Sequence, residues 1–248
     1  MRRTLHERIR GHRRQTYAQV WIVLERADEN PGDPTRILDL YRNESITKFG
    51  GGNGPYNREH TWPKSYGFPN ESSLPYTDCH HLFLCNVSYN SSRGNKPYDD
   101  CPGGIEKPTV ASNGTGGNGT PAGEYPGQSN WTIGSAQSGK WETWIGRRGD
   151  VARALLYLDV RYEGGIDPVS NRPEPDLVLT DEMNRIRTGS GNVAYMGRLS
   201  TLIRWHHEDP VDDKERRRND IIEEYQGNRN PFIDHPEWVD CVFEGRCD

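Results

Sequence analysis

The chain has 248 residues, a formal charge of -5 and a sequence pI of about 5.9. That length suits one large domain or two small ones. No apolar run approaches the roughly 18 residues of a membrane span, which excludes a membrane protein, and 31 Lys and Arg against 36 Asp and Glu exclude a chain that coats nucleic acid by bulk charge.

Leu, Ile, Val and Phe number only 44, a fraction usual for disorder. The chain also carries 7 Trp, 12 Tyr and 5 Phe, and each ring buries roughly 150–250 Å². Aromatic side chains therefore supply the core that aliphatic ones do not, and a folded, loop-rich protein is expected.

Residues 3–26 read as a helix, with Leu5, Ile9, Tyr17, Val20, Trp21 and Leu24 as a buried stripe. Residues 1–16 hold six Arg and one Glu, a basic start read as a solvated helix face. The first ten residues have no apolar stretch, so no signal peptide is expected within this chain. A second helix is expected over about 34–42, after Asp33-Pro34. Gly50 to Pro55 breaks all regular structure, and 56–63 reads as a short strand ending at Pro63.

The pattern predicts a helix over 78–93, with Asp78 as N-cap and Gly94 as stop. Residues 101–140 hold 10 Gly and 4 Pro, an irregular insertion with short strands expected near Ile105–Val110 and Trp131–Ile133. The clearest helix is 150–162, where Val151, Ala154, Leu155, Leu158 and Tyr162 recur at helical spacing. Two more helices are expected at about 193–207 and 211–226. His206 and His207 read as helix C-terminal residues that complement the dipole. The fold class expected is α+β, predominantly helical with a small β component, in a single domain over 1–248.

The five cysteines are Cys79, Cys85, Cys101, Cys241 and Cys247, an odd number. Cys241 with Cys247 and Cys85 with Cys101 are the candidate pairs, and reduced buried thiols are the alternative.

Chemistry is densest over residues 57–98, which combine Glu59, His60, His80 and His81 with Asn86, Asn90, Arg93, Asn95 and Lys96. A neutral imidazole takes a proton from water near neutral pH. A carboxylate and an amide oxygen hold a hard divalent cation, which stabilises a leaving oxygen, and arginine binds phosphate oxygens. Together these fit phosphodiester hydrolysis. Neighbours on a strand point to opposite faces, so Glu59 and His60 serve one site from two sides or are turned together by a bulge.

Glu59-His-Thr-Trp-Pro, Asp78-Cys-His-His-Leu, Asn90-Ser-Ser-Arg-Gly-Asn-Lys-Pro, Arg148-Gly-Asp-Val-Ala-Arg-Ala and Gln226-Gly-Asn-Arg-Asn-Pro-Phe resemble the bacterial endonuclease I family, over about residues 5–238. The resemblance implies a ββα-metal (His-Me) finger and a secreted or periplasmic, non-specific, metal-dependent nuclease. Its substrates would be DNA and RNA, its products 5′-phosphate and 3′-hydroxyl ends. By the same resemblance His60 is the general base, and Glu59 and Asn90 are the metal ligands. His81 stands where family members often carry Asn; it and His80 are read as packing or hydrogen-bonding residues, and only if His81 reached the metal would it add a nitrogen ligand favouring Mn²⁺ or Zn²⁺. Arg93 and Arg153 are candidates for stabilising the scissile phosphate, and Asn95 and Lys96 for binding substrate. One divalent cation is expected, Mg²⁺ first, with Mn²⁺ or Zn²⁺ as alternatives, in a monomer.

A catalytically silent nucleic-acid-binding domain and a structure-selective nuclease are the competing readings. The acidic average would hide a local basic site made of the first 16 residues with Arg58, Lys64, Arg93, Lys96, Arg147, Arg148 and Arg153.

Overall fold

The computed structural model describes residues 1–52, 54–119, 124–189 and 193–247. In place of one helix over 3–26, the chain forms α1 (Arg2–Ile9) and α2 (Gln19–Ala27). They separate where Gly11 takes a left-handed φ of 73°, a conformation that ends a helix and suits glycine. The expected helix over 34–42 is instead sheet. Strands β1 (Glu29–Asn30), β2 (Asp33–Leu38) and β3 (Ser45–Thr47) form an antiparallel sheet with β2 in the middle.

Strand β4 (Tyr56–His60) matches expectation. The helix expected over 78–93 divides into strand β5 (Leu82–Asn86) and helix α3 (Val87–Arg93). Asp78 caps nothing. Asn86 is the cap, accepting from the Ser88 N–H at 3.0 Å, and Gly94 ends the helix with a φ of 55°. The run Leu82-Phe-Leu-Cys is buried throughout, and a short apolar run carries no period that separates strand from helix.

The insertion holds β6 (Ile105–Pro108), β7 (Ser129–Ile133) and β8 (Lys140–Glu142) in one antiparallel sheet. Then come α4 (Arg148–Arg161), β9 (Asp176–Leu179), β10 (Val193–Met196), α5 (Leu199–Glu208), α6 (Asp213–Gln226), α7 (Pro231–Asp234) and α8 (Trp238–Glu244). The helix expected over 193–207 thus begins as β10, which pairs parallel with β9. The class is α+β, with helix and, among the described residues, four small sheets sharing the molecule.

Helix α4 is the centre: all 14 of its residues are buried. Its apolar residues pack with α1, α5, α7 and β9. Its buried charges are each paired. Arg148 meets Glu142 at 3.1 Å and Glu208 at 2.6 Å, Arg153 meets Glu215 at 2.6 Å, Arg161 meets Glu174 at 2.7 Å, and Asp159 meets Arg2 at 2.5 Å. Trp62, Trp141, Trp144 and Trp205, with Tyr41, Tyr56, Tyr66 and Tyr98, are fully buried. Rings and paired charges account for a stable interior with few aliphatic side chains.

Asp78 ties the loop before β5 to this centre. Its carboxylate accepts from Tyr157 and Tyr162 hydroxyls at 2.9 Å and from the Gln226 amide at 3.0 Å. Burial opposes its ionisation, but His12, His80, His81 and the Gln226 bond outweigh that and hold it well below the usual carboxylate range. Cys241 and Cys247 form a disulfide. The Cys85–Cys101 pairing does not occur: both are buried free thiols, and each Sγ turns to a nearby carbonyl, of Asn86 and Asp99. No helix among the described residues is long and apolar enough to cross a membrane.

Candidate active site

Strands β4 and β5 pair antiparallel in unbroken register, Tyr56 with Asn86 through His60 with Leu82. Helix α3 follows directly and packs on both strands. Asp39 fixes the junction, accepting N–H bonds from Asn86, Tyr41, Arg42 and Glu44. There is no bulge between Glu59 and His60. They flank one pocket of about 170 Å³ whose wall also includes Tyr17, Arg58, Lys64, Asn90, Arg93 and Asn95. Of the two geometries open at the outset, the strand uses opposite faces.

His60 is nearly buried and its Nε2 lies 3.0 Å from the Tyr76 carbonyl. A carbonyl only accepts, so Nε2 carries the proton and Nδ1 keeps its lone pair. Burial, then the neighbouring His81, push the His60 pKa well below the ordinary value, so the ring is neutral at neutral pH.

Glu59 is fully buried opposite. Its Oε1 takes both hydrogen bonds, from Tyr41 at 2.9 Å and from Arg93 at 2.8 Å, and Oε2 takes none. Burial pushes its carboxyl up to about 7 against the pull of Arg93. Arg93 also donates to the His60 carbonyl at 2.8 Å and to the Thr61 carbonyl, and it lies over the Tyr98 ring. Asn90 Nδ2 donates to Asn57 Oδ1 at 2.6 Å, and Asn90 Oδ1 accepts from no described residue.

These unpartnered oxygens fit a small hard cation, which takes a carboxylate and an amide oxygen and keeps several waters. Glu59 and Asn90 are the two residues that would hold it. His81 is not brought to the pocket: it is fully buried, and its Nε2 bonds the Pro75 carbonyl at 2.7 Å. His80 is likewise committed, to the Asn228 carbonyl at 3.1 Å. Trp62 is core.

Asn95 lines the pocket, whereas Lys96 lies outside that lining and donates to the Ser92 carbonyl at 2.6 Å. Arg153 is a correction. It is fully buried in α4, bound through both Nε and Nη2 to Glu215, at 2.7 and 2.6 Å, and it reaches the Asp209 carbonyl. Arg147 and Arg148 are also held by carboxylates, of Asp212 and of Glu142 and Glu208. None of the three lines the site pocket. Tyr17, Tyr41 and Tyr76 carry no signal in the motifs: Tyr41 bonds Glu59 from 18 positions away, the Tyr76 carbonyl meets His60 from 16 positions away, and Tyr17 lines the same pocket.

A larger cavity, about 580 Å³, lies between α5 and α8, beside a cluster of His207, Asp240 and Glu244 whose ligand atoms fall within 4.8 Å of one another. Arg246 already binds both carboxylates there, and His207 meets Asp240 at 2.9 Å. That cluster is satisfied within the protein.

A neutral imidazole, a buried carboxylate, an amide oxygen and unpaired cations around one small pocket form the equipment of a phosphodiester-cleaving enzyme. The Endonuclease I family model matches residues 1–237. The chain is 44% identical over 246 residues to the "Extracellular ribonuclease" of Bacillus amyloliquefaciens, covering 98% of this chain and 73% of that relative. It is 43% identical to the "Extracellular ribonuclease" of Bacillus subtilis (strain 168), covering 98% and 74%. The chain belongs to the Endonuclease I family and is a hydrolytic nuclease by that membership.

Proposed function

We propose that the protein is a secreted, divalent-metal-dependent endonuclease that acts as a monomer, and that β4, β5 and α3 are its ββα-metal finger. It hydrolyses phosphodiester bonds of RNA and DNA without sequence preference, leaving 5′-phosphate and 3′-hydroxyl ends. The relatives' names support RNA and secretion; the family's name supports endonucleolytic cutting.

The observation that carries this reading is the His60–Tyr76 bond. It leaves Nδ1 as the acceptor on a neutral ring at the pocket, the state a general base needs. His60 takes a proton from the attacking water, and the Tyr76 carbonyl stabilises the imidazolium that forms. Glu59 and Asn90 hold one divalent cation, Mg²⁺ first, which supplies charge stabilisation at the scissile phosphate. Arg93 is a positioning residue: by binding Oε1 it keeps Oε2 of Glu59 available. Asn95 contacts substrate from the pocket wall, with Lys96 just outside it.

The test is cleavage of supercoiled plasmid and of RNA with Mg²⁺ and with EDTA. Activity with Mg²⁺ that EDTA abolishes supports the reading, and undiminished cutting in EDTA overturns the metal dependence. Retention of parental activity by His60→Ala overturns the base assignment.

A further inference from the structure

Arginine in this protein is nearly always matched to a carboxylate when it is buried, as in Arg93, Arg148, Arg153, Arg161 and Arg218. Arg58 is the departure. It is half-buried on β4 beside Glu59, and no carboxylate among the described residues lies within ion-pair distance. Its guanidinium carbon sits 3.2 Å from the Tyr17 ring centre and 4.4 Å from that of Trp21, and Nη1 donates to the Tyr17 carbonyl. Among the described residues, the remaining N–H groups meet no acceptor.

Lys64, exposed at the pocket rim, shares the aromatic contact and the lack of an ion pair. Its Nζ donates to the Tyr76 hydroxyl at 2.9 Å and lies 4.9 Å from that ring, again with no carboxylate partner among the described residues. Both cations line the pocket that holds Glu59 and His60. A neighbouring cavity of about 300 Å³ shares Tyr17 and is lined by Arg14 and Glu71; Arg14 donates to the Glu71 carbonyl and makes no ion pair among the described residues.

Among the described side chains that line the pocket, no other cation is free to meet a phosphate. Arg93 is spent on Glu59 and two carbonyls, and Arg153 is locked to Glu215. A half-buried cation held in place by aromatic faces, with open donors and no internal anion, is built for an anion from outside. We infer that Arg58 and Lys64 are the phosphate-binding residues of the cleavage site, and that the substrate strand leaves the pocket over Tyr17 toward Arg14. This rests on the nuclease reading and names the residues that grip its substrate.

Arg58→Gln and Lys64→Gln, each in the full chain, test it by fluorescence anisotropy. The probes are fluorescein-labelled single-stranded DNA and RNA oligonucleotides, in EDTA on a His60→Ala background so that nothing is cut. Each variant is expected to bind about 5- to 30-fold more weakly at low salt. Each is also expected to lower the slope of log Kd against log salt by about 0.7, the value for one phosphate contact on a single strand. A merely structural role leaves that slope unchanged.

Thermal melting checks each fold. Should Arg58→Gln unfold, the exposed Lys64→Gln decides alone. A folded variant with parental affinity and slope overturns the inference. If the parent protein cuts no nucleic acid at all, the nuclease reading fails instead, and the two failures are told apart by the uncut-probe binding.

Discussion

Two regions of this molecule use arginine in opposite ways. Around α4, Arg148, Arg153 and Arg161 are buried and each faces a carboxylate within about the length of a hydrogen bond. Around the pocket, Arg58 is packed against aromatic rings, and neither it nor the exposed Lys64 makes an ion pair among the described residues. The first set neutralises its charge inside the fold; the second keeps charge for something outside. Proximity in sequence to a motif does not separate the two, since Arg153 lies in a recognisable motif and Arg58 stands directly before Glu59. The partner decides.

The largest expected effect separates chemistry from architecture. His60→Ala should lower the cleavage rate roughly 10²–10⁴-fold while costing less stability than loss of a buried ion pair, since the ring gives up one bond to a carbonyl and its contacts with Tyr17, Phe68, Tyr76 and His81. Arg153→Ala should do the reverse. It strands Glu215 in the interior, which costs about 3–5 kcal/mol of stability, while the rate per folded molecule stays within a few-fold of parental. Denaturant titration with single-turnover cleavage on both variants reads out the contrast. A folded Arg153→Ala that has lost catalysis would join the two regions again.

A smaller effect tests the interior through pH. Burial lowers the pKa of His206 from 6.5 to about 4, so the folded state keeps it neutral while the unfolded chain protonates it. Its stability contribution is complete above pH 6.5 and is lost as pH falls toward 4, by up to about 1.4 kcal/mol per pH unit. Asp159, which burial raises to about 6, works in the other direction, so the overall slope mixes both. His206→Gln isolates one group. Between pH 6.5 and 4 its unfolding free energy should depend less steeply on pH than the parent's, with equal slopes above pH 7. Identical slopes throughout would show that His206 is not held neutral.

Legibility in the sequence follows the same divide. Helix α4 declares itself through long apolar spacing, α6 through the Asp212 start, and β4 through the Pro63 stop and the glycine run before it. Glu59, His60 and Asn90 are recognisable by their motif, and the fold does bring them to one pocket. What failed was set by distant contacts. Residues 34–38 become strand because β1 and β3 pair with them on both sides, and Leu82–Asn86 because β4 does. Arg153 was misplaced because its partner, Glu215, lies on α6, and nothing local to α4 records that acid. Arg58 drew notice only as one charge among several, because Tyr17 and Trp21, which make its setting unusual, belong to α2 and the turn before it.

The smallest effect asks whether a carboxylate partner alone makes an arginine structural. Arg204 meets Asp100 at 2.5 Å and Glu208 at 2.9 Å, contacts as short as those of Arg153, but its side chain is 43% exposed. Water already solvates these groups, so forming the pairs exchanges one good environment for another and holds three side chains in place. Arg204→Ala should therefore cost less than about 1 kcal/mol, against the several expected for Arg153→Ala, and the loss should shrink further in 1 M salt, where the screening length is about 3 Å. Denaturant titrations of both variants at low and high salt measure it. Equal losses would mean that partner distance governs these arginines; the predicted gap means that burial does, and the half-buried, unpartnered Arg58 is then the position where the fold retains a charge it has not used.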